Sequence, residues 1–257
     1  MRYALIMLAA GHLCLGAAHV AMLPPWEGFD ETAHYSSLQQ IADAGRLPRL
    51  GSARIARDVR ETFFVLPIPY SSAPPVEQNL GHTYRSFFAS PDLAFQGKMY
   101  IHSRPPQPRR FVEDKALNWQ AQHPPLYYLA LTPVYLATRH LSWGAHLYAL
   151  RLASYLLAWL ALAVALYVVW SAVSGPWPAI QERYRVGAAL GIGVWPLLFP
   201  QWYPEMARLG NDSLCALLVS AAWLVALRAP APTAGSMAGW LSNALLLGFI
   251  LGLGCLN

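Results

Sequence analysis

Apolar positions gather into five long runs: Tyr3 to Leu23, Leu150 to Ser174, Val186 to Tyr203, Ser213 to Leu227 and Trp240 to Leu256. Each approaches the roughly 20 residues a helix needs to cross the hydrocarbon core of a bilayer. A backbone in hydrocarbon has no water to bond, so each run is expected to be helical. The first also fits a cleaved signal peptide, with Arg2 as a minimal basic leader and "AAHVAM" as a poor cleavage site. Its long apolar core and the four later runs favour an uncleaved helix.

A sixth stretch, "HPPLYYLALTPVYLATRHL" from His123 to Leu141, is near the minimum length and contains Pro133. If it spans, "QERYR" at 181 to 185 falls outside; if it lies in the interface, Arg2, "QERYR" and Arg228 share one side, as the positive-inside rule expects. The second arrangement is preferred, with Tyr127, Tyr128 and Tyr135 at headgroup depth and their hydroxyls wet. Residues 24 to 149 then form one large outer loop, and residues near 204 to 212 a short second loop opening on the same side. "PIPYSSAPP", "SRPPQPRR" and "AQHPP" make the large loop too proline-rich for long helices. Phe63, Phe64, Tyr84, Phe87 and Phe88 make it too aromatic for disorder, so it reads as a small cap on the membrane surface.

The expected fold is therefore an all-α polytopic membrane protein of about five transmembrane helices with a large extracytoplasmic first loop carrying interfacial helices. The first helix occupies 1–23, the loop with amphipathic helices 24–149, and four further transmembrane helices 150–257. The sequence stops at "LLLGFILGLGCLN", inside an apolar run without a basic flank, which suggests the amino-terminal part of a longer membrane protein. Composition agrees: 12 % of residues are charged, where a soluble domain carries about a quarter, and mean hydropathy is +0.32. The net charge of +5 comes from scattered Lys and Arg with no basic helix, which argues against a nucleic-acid partner. Cys14, Cys215 and Cys255 make no CxxC or paired framework and read as small core residues.

Candidate chemistry starts with "PPWEGFDETAHY", which puts three carboxylates and a histidine just after the first run. "FDETAHYSSLQQIADAGRLP" reads as a short amphipathic helix on the membrane. Asp30 caps it, Glu31 favours its first turn, Leu38 and Ile41 form an apolar stripe, and Gly45 ends it. Asp30 and His34 share a face one turn apart. A cap and a solvated face account for Asp30 and Glu31 without chemistry; alternatively, a carboxylate at the membrane boundary near Trp26 and Phe29 is partly desolvated and gains base strength. Glu27 reads as a surface charge. In "RLGNDSL", Asp212 is either an N-cap or, with Arg208 and Asn211, part of a substrate path at the membrane boundary. His123 before two prolines is structural or a phosphate ligand, and Arg151 either snorkels to lipid phosphates or binds substrate. Two carboxylates and two cations on one outer face suit phosphate chemistry.

The order of "FDETAHY", "HPPLYYLALTPVYL", "ALRLASYLLAWLALAVALYVVW", "ARLGNDSLCALLVSAAWLVAL" and "LLLGFILGLGCLN" resembles polytopic glycosyltransferases of the GT-C class. The branch is that of the protein O-mannosyltransferases and the aminoarabinose transferase of lipid A. The resemblance covers nearly the whole chain except the middle of the first loop and rests on order and topology, since no single motif is unique. It implies an enzyme of the cytoplasmic (inner) membrane that transfers a sugar from a polyprenyl-phosphate donor to a lipid, glycan or protein acceptor on the outer face. It further implies Asp30 and Glu31 at the first-loop acidic motif, Asp212 at the second-loop acid, and His123 near the donor phosphate. Asp30 is then the general base, and Glu31 or Asp212 orients the acceptor; some relatives use a divalent cation (Mg or Mn) and others do not, and where one is used Asp30, Glu31 or Asp212 holds it. His34, His123, Arg151 and Arg208 bind substrate. The chain departs from the family at "GLGCLN", where relatives carry Gly-Leu-x-x-Lys and continue into further helices. Two other classes fit less well: a transporter or flippase of a lipid-linked sugar, which would want charges at mid-membrane, and a non-catalytic scaffold subunit, in which the carboxylates are caps only.

Overall fold

A computed structural model describes residues 2–68, 81–174, 182–199, 201–228 and 237–255, and over these the chain is mostly helical. The first apolar run is α1 (Arg2–Met22), which stops where Pro24 and Pro25 have no N–H to continue the ladder. After a tight turn comes α2 (Glu31–Ala44), closed by Gly45 at φ 60°, whose N–H donates to the Ile41 carbonyl. Strand β1 (Arg54–Ala56) runs into α3 (Arg57–Thr62). The Thr83 and Ser90 hydroxyls cap α4 (Tyr84–Ala89) and α5 (Pro91–His102), with Pro91 at a first-turn position where its missing N–H costs nothing. Strand β2 (Glu113–Leu117) pairs antiparallel with β1, and a 3₁₀ turn, Trp119–Gln122, leads to α6 (Leu126–Thr138). The remaining helices are α7 (Trp143–Ser174), α8 (Glu182–Leu198), α9 (Trp202–Ala207), α10 (Asp212–Arg228) and α11 (Met237–Cys255).

Two stretches, Tyr3–Met22 in α1 and Trp143–Ser171 in α7, are long and apolar enough to cross a membrane, and shorter apolar helices occupy Leu126–Thr138, Asp212–Leu227 and Leu241–Cys255. Several expectations are corrected. The helix expected from Leu150 begins at Trp143, because Trp143, Leu147 and Leu150 are buried with the first loop rather than facing lipid. The run expected from Val186 to Tyr203 is split: α8 carries Pro196 and ends at Leu198, and Trp202 and Tyr203 begin the separate α9. The chain is not purely helical, since β1 and β2 form a two-stranded sheet with an irregular register between Arg54↔Leu117 and Ala56↔Glu113. The three cysteines are free and exposed on helix surfaces, not in the core. Residues 69–75 of the proline tract, Gln181, Pro200 and Leu256 lie outside the described residues, as do the side chains of Arg2, Arg183, Arg185 and Arg228.

The main core lies in the cap, not among the long helices. Residues Glu31 to Ile41 of α2 are all buried, so the helix has no solvated face. Its polar side chains must therefore find partners. Ser36 donates to the Thr32 carbonyl and accepts from Ala56 N–H, which ties α2 to β1; Asn118 Nδ2 donates to the Ala33 carbonyl and Ser37 Oγ, both at 3.0 Å. Helix α6 covers another side of α2. Tyr127, Tyr128 and Tyr135 point inward and are buried, with hydroxyls bonded to Ser154, His34 and Asp43, so the exposed face of α6 is Leu129 and Leu136 rather than a tyrosine belt.

The long helices pack closely, most extensively α7 against α10. Buried His12 of α1 donates from Nε2 to the Gly193 carbonyl of α8 at 2.7 Å, which leaves Nδ1 to accept from the Tyr203 hydroxyl of α9. Gly193 lies in the turn before Pro196, where proline weakens the helix's own ladder. Gly16 lets α1 meet α7: a Cβ there would fall 1.7 Å from the Tyr155 ring, and Tyr155 donates its hydroxyl to the His12 carbonyl.

Gly16→Ala is therefore expected to destabilise by about 1–3 kcal/mol through overpacking. Gly11→Ala, in the same helix with nothing within 4 Å, should be neutral or stabilising by up to about 1 kcal/mol from backbone entropy. Thermal unfolding of both variants in detergent checks this, and equal melting temperatures would reject the α1–α7 contact.

Candidate active site

The stretch 24–31 is a strained turn. Trp26 and Asp30 both have positive φ, 65° and 59°. Asp tolerates this region better than Trp. Trp26 is held there by burial against Tyr35 and Trp143, each at a 5.3 Å ring separation, and by donating its indole N–H to Thr62 Oγ1 at 2.8 Å. Gly28 is required because a Cβ at that position would come within 2.4 Å of Arg208 Cβ. The turn thus brings the first loop against the second.

Adjacent carboxylates leave this turn in different surroundings. The Asp30 carbonyl accepts from Ala33 and His34 N–H at 3.0 Å, but its side chain does not cap the helix. The carboxylate instead accepts from the Trp119 indole at 3.2 Å and from the Gln120 side-chain amide, and among the described residues it makes no ion pair. Glu31 is 0 % exposed and Arg151 3 %. Arg151 Nε and Nη2 form a fork on the two carboxylate oxygens at 2.7 and 2.6 Å, and Leu209 N–H adds a third bond at 3.1 Å. The other Arg151 donors reach the Leu23 and Pro24 carbonyls, which follow the end of α1. The guanidinium therefore neither snorkels nor stands free for a phosphate.

The second loop is organised by Arg208, which is buried and holds Glu205 on one side and Asp212 at 3.0 Å on the other. Burial acts against its charge, and Glu205, then Asp212 and Glu31, outweigh it and raise its pKa further. Asp212 is 55 % exposed, with Oδ1 outside this ion pair. Gly210 N–H donates to the Tyr127 hydroxyl, which donates to Ser154; Ser154 and Ser213 lie 3.1 Å apart. These bonds dock the loop onto α6 and α7.

The histidines bridge the two loops. His34 is buried and shares Nδ1 with the Tyr128 hydroxyl at 2.9 Å. Burial, then the charges of Arg208 and His123, lower its pKa to about 3, so it is neutral. His123, half buried at the end of the 3₁₀ turn, lies 5.6 Å from the His34 ring and pairs Nδ1 with the Asn211 side-chain amide at 3.2 Å. Its Nε2 has no partner among the described residues.

Asp30, Glu31, His34, His123, Arg151, Arg208 and Asp212 thus occupy one junction of α1, α2, α7 and both loops. Asp30 and Asp212 belong to it without bonding each other. Glu27, expected as a surface charge, accepts from the Tyr84 hydroxyl at 2.9 Å. Sequence reasoning missed Glu205, Trp119, Gln120 and Ser154. Only Glu205 had a local signal, its three-residue spacing from Arg208. Among the described residues no three His, Cys, Asp or Glu side chains gather as a metal-holding group. Comparison with protein-family models, curated proteins and solved structures returns no match to this chain.

Truncating one partner of the buried fork strands the other charge. Glu31→Gln and Arg151→Met should each destabilise by about 3–5 kcal/mol, and the double variant by less than the sum; melting temperatures of the three proteins in detergent measure this. His34 is neutral when folded and titrates near pH 6.5 when unfolded, so on acidification the unfolded chain takes up the proton first. Its contribution destabilises as pH falls from about 6.5 to about 3, by up to about 1.4 kcal/mol per pH unit, and vanishes above that window. Denaturation of His34→Gln across pH 4 to 8 should show a shallower acid loss than the wild type.

Proposed function

We propose that the chain is a five-span membrane glycosyltransferase, transferring a sugar from a polyprenyl-phosphate carrier to an acceptor hydroxyl on the outer face of the cytoplasmic membrane. The reading is carried by one observation. Residues far apart in the sequence, from the end of α1 to the start of α10, form a single polar junction in which one carboxylate, Asp30, is bonded, among the described residues, to neutral donors alone. The arrangement supports a division of roles. Asp30 is the general base, and Asp212, half of whose side chain is exposed, orients the acceptor. His123 offers Nε2 to the donor phosphate. Glu31 and Arg151 position the others, since their bonding capacity is largely spent on each other and on backbone. Arg208 holds Asp212 and lends positive potential to the junction.

In the proposed step the acceptor oxygen attacks the anomeric carbon, its proton passes to the Asp30 carboxylate, and the bond from that carbon to the phosphate oxygen breaks. Its electron pair leaves with the polyprenyl phosphate. A single displacement inverts the anomeric centre. A scaffold reading draws on the complete engagement of Glu31 and Arg151, and activity separates the two.

Asp30→Asn in the intact protein should lower transfer from a polyprenyl-phosphate sugar by about 10²–10⁴-fold with the fold unchanged. Wild-type transfer by that variant would remove Asp30 from the mechanism. The topology is checked separately: cysteines introduced at Asp92 and Gln201 in a cysteine-free background should both react with a membrane-impermeant maleimide from the outer side. Labelling from opposite sides would reject the two-loop arrangement.

A further inference from the structure

Away from the junction, around the far end of α2, lies a cavity of about 820 Å³ whose lining includes Gln40, Arg46, Arg49, Ser52 and Glu113. It falls within the roughly 300–1,000 Å³ range of small-molecule sites. At 1.5 Å per residue, Gln40 lies about 14 Å along α2 from Glu31, so this is a separate place from the catalytic junction.

Its walls are built, not incidental. Gly45, in the left-handed conformation, ends α2 and turns the chain back, and the Arg49 carbonyl accepts from Ser52 N–H at 3.1 Å, Ala53 N–H at 2.8 Å and the Ser52 hydroxyl at 3.2 Å. This folded loop presents Arg46 and Arg49, both exposed, and neither guanidinium is bonded or ion-paired among the described residues. Gln40 is only 7 % exposed, and its Oε1 is buried without a hydrogen bond from the protein. A buried acceptor left unmatched calls for an account. The final torsion of a glutamine is soft, so a small rotation brings a polar end of the amide to the cavity.

The chemistry of the walls selects the ligand. Two guanidinium groups against one carboxylate, Glu113, leave a single positive charge, which matches an anion of one negative charge. The planar fork of arginine favours a group with two equivalent oxygens. The Gln40 oxygen, the Glu113 carboxylate and the Ser52 hydroxyl accept hydrogen bonds, so the ligand should carry hydroxyl donors beside its anion. We propose that this cavity is a second ligand site, for a hydroxylated phosphodiester of the glycerophosphoglycerol type, taken up free or as the head group of a membrane lipid. The site does not depend on the glycosyltransferase reading.

The test uses the intact protein in phosphatidylcholine nanodiscs, titrated with glycerophosphoglycerol and followed by saturation-transfer NMR and by melting temperature. Saturable binding is expected, weakened at least tenfold in Arg46→Gln/Arg49→Gln, whose exposed guanidinium groups make no hydrogen bond or ion pair among the described residues, and also weakened in Gln40→Leu. Asp30→Asn should bind as the wild type does, which keeps this outcome separate from failure of the catalytic assignment. If phosphatidylglycerol in the nanodisc raises the melting temperature and blocks the soluble probe, the source is lipid; if it does neither, the source is the soluble ligand. The proposal is overturned if neither probe binds saturably, if the arginine variant binds equally well, or if inorganic sulfate binds as tightly, since hydroxyls would then play no part.

Discussion

The pairing of Glu31 with Arg151 is the constraint on which the rest of the structure depends. Two charges removed from water are tolerated only when nearly every polar atom around them is matched. Here both carboxylate oxygens accept from the guanidinium, a backbone N–H joins them, and the remaining guanidinium bonds go to two carbonyls at the end of α1. Four chain segments therefore meet at one point: the end of α1, the first residue of α2, the body of α7 and the loop before α10. None can shift without leaving a buried charge or carbonyl unmatched. Such a fork contributes less net stability than its short distances suggest, but it discriminates strongly against other arrangements of the same helices.

That anchor explains why α2 is buried along most of its length. Its first residue is fixed under the junction, and its body must run between α6, β1 and the start of α7. Each polar side chain on it then needs a specific partner, which the sheet, the 3₁₀ turn and the α6 tyrosines supply. The same anchor separates two neighbouring acids. With Asp30 at positive φ, its carboxylate turns toward Trp119 and Gln120 while Glu31 points inward. One of the pair holds the architecture and the other is bonded to the neutral Trp119 and Gln120 side chains, a difference that their adjacency in sequence conceals.

How much was legible follows from what each feature depends on. Apolar runs are a local property, and four of the five expected runs each correspond to one helix, the run from Val186 being divided between α8 and α9; the end of α2 at Gly45 was legible from local chemistry as well. Arg208 and Asp212 were expected side by side at the second loop, and the structure pairs them within one turn of chain. Partner choice was not legible. Tyr127, Tyr128 and Tyr135 have the composition of an interfacial belt, and only the presence of α2 beside them turns the hydroxyls inward. Arg151 looked like a snorkelling residue because its partner is distant in sequence. β1 and β2 are too short to show alternation, and Trp119 and Gln120 become part of the junction only through a turn whose position the sequence pattern does not fix.

The length of α7 links the anchor to the proposed chemistry. At 1.5 Å per residue its 32 residues extend about 48 Å, well beyond a hydrocarbon core of about 30 Å. The excess is at its beginning, where Trp143, Leu147 and Leu150 pack into the cap. From Arg151 to Ser174 the helix has 24 residues, about 36 Å, enough to cross the core once with little to spare. In a membrane-crossing α7, Arg151 and the junction around it therefore sit at the boundary between hydrocarbon and headgroups. That is the depth at which the phosphate of a lipid-linked donor rests while its chain stays in the bilayer. Under the proposed function, one helix fixed by one ion pair would thus set both the depth of the site and the class of substrate able to reach it.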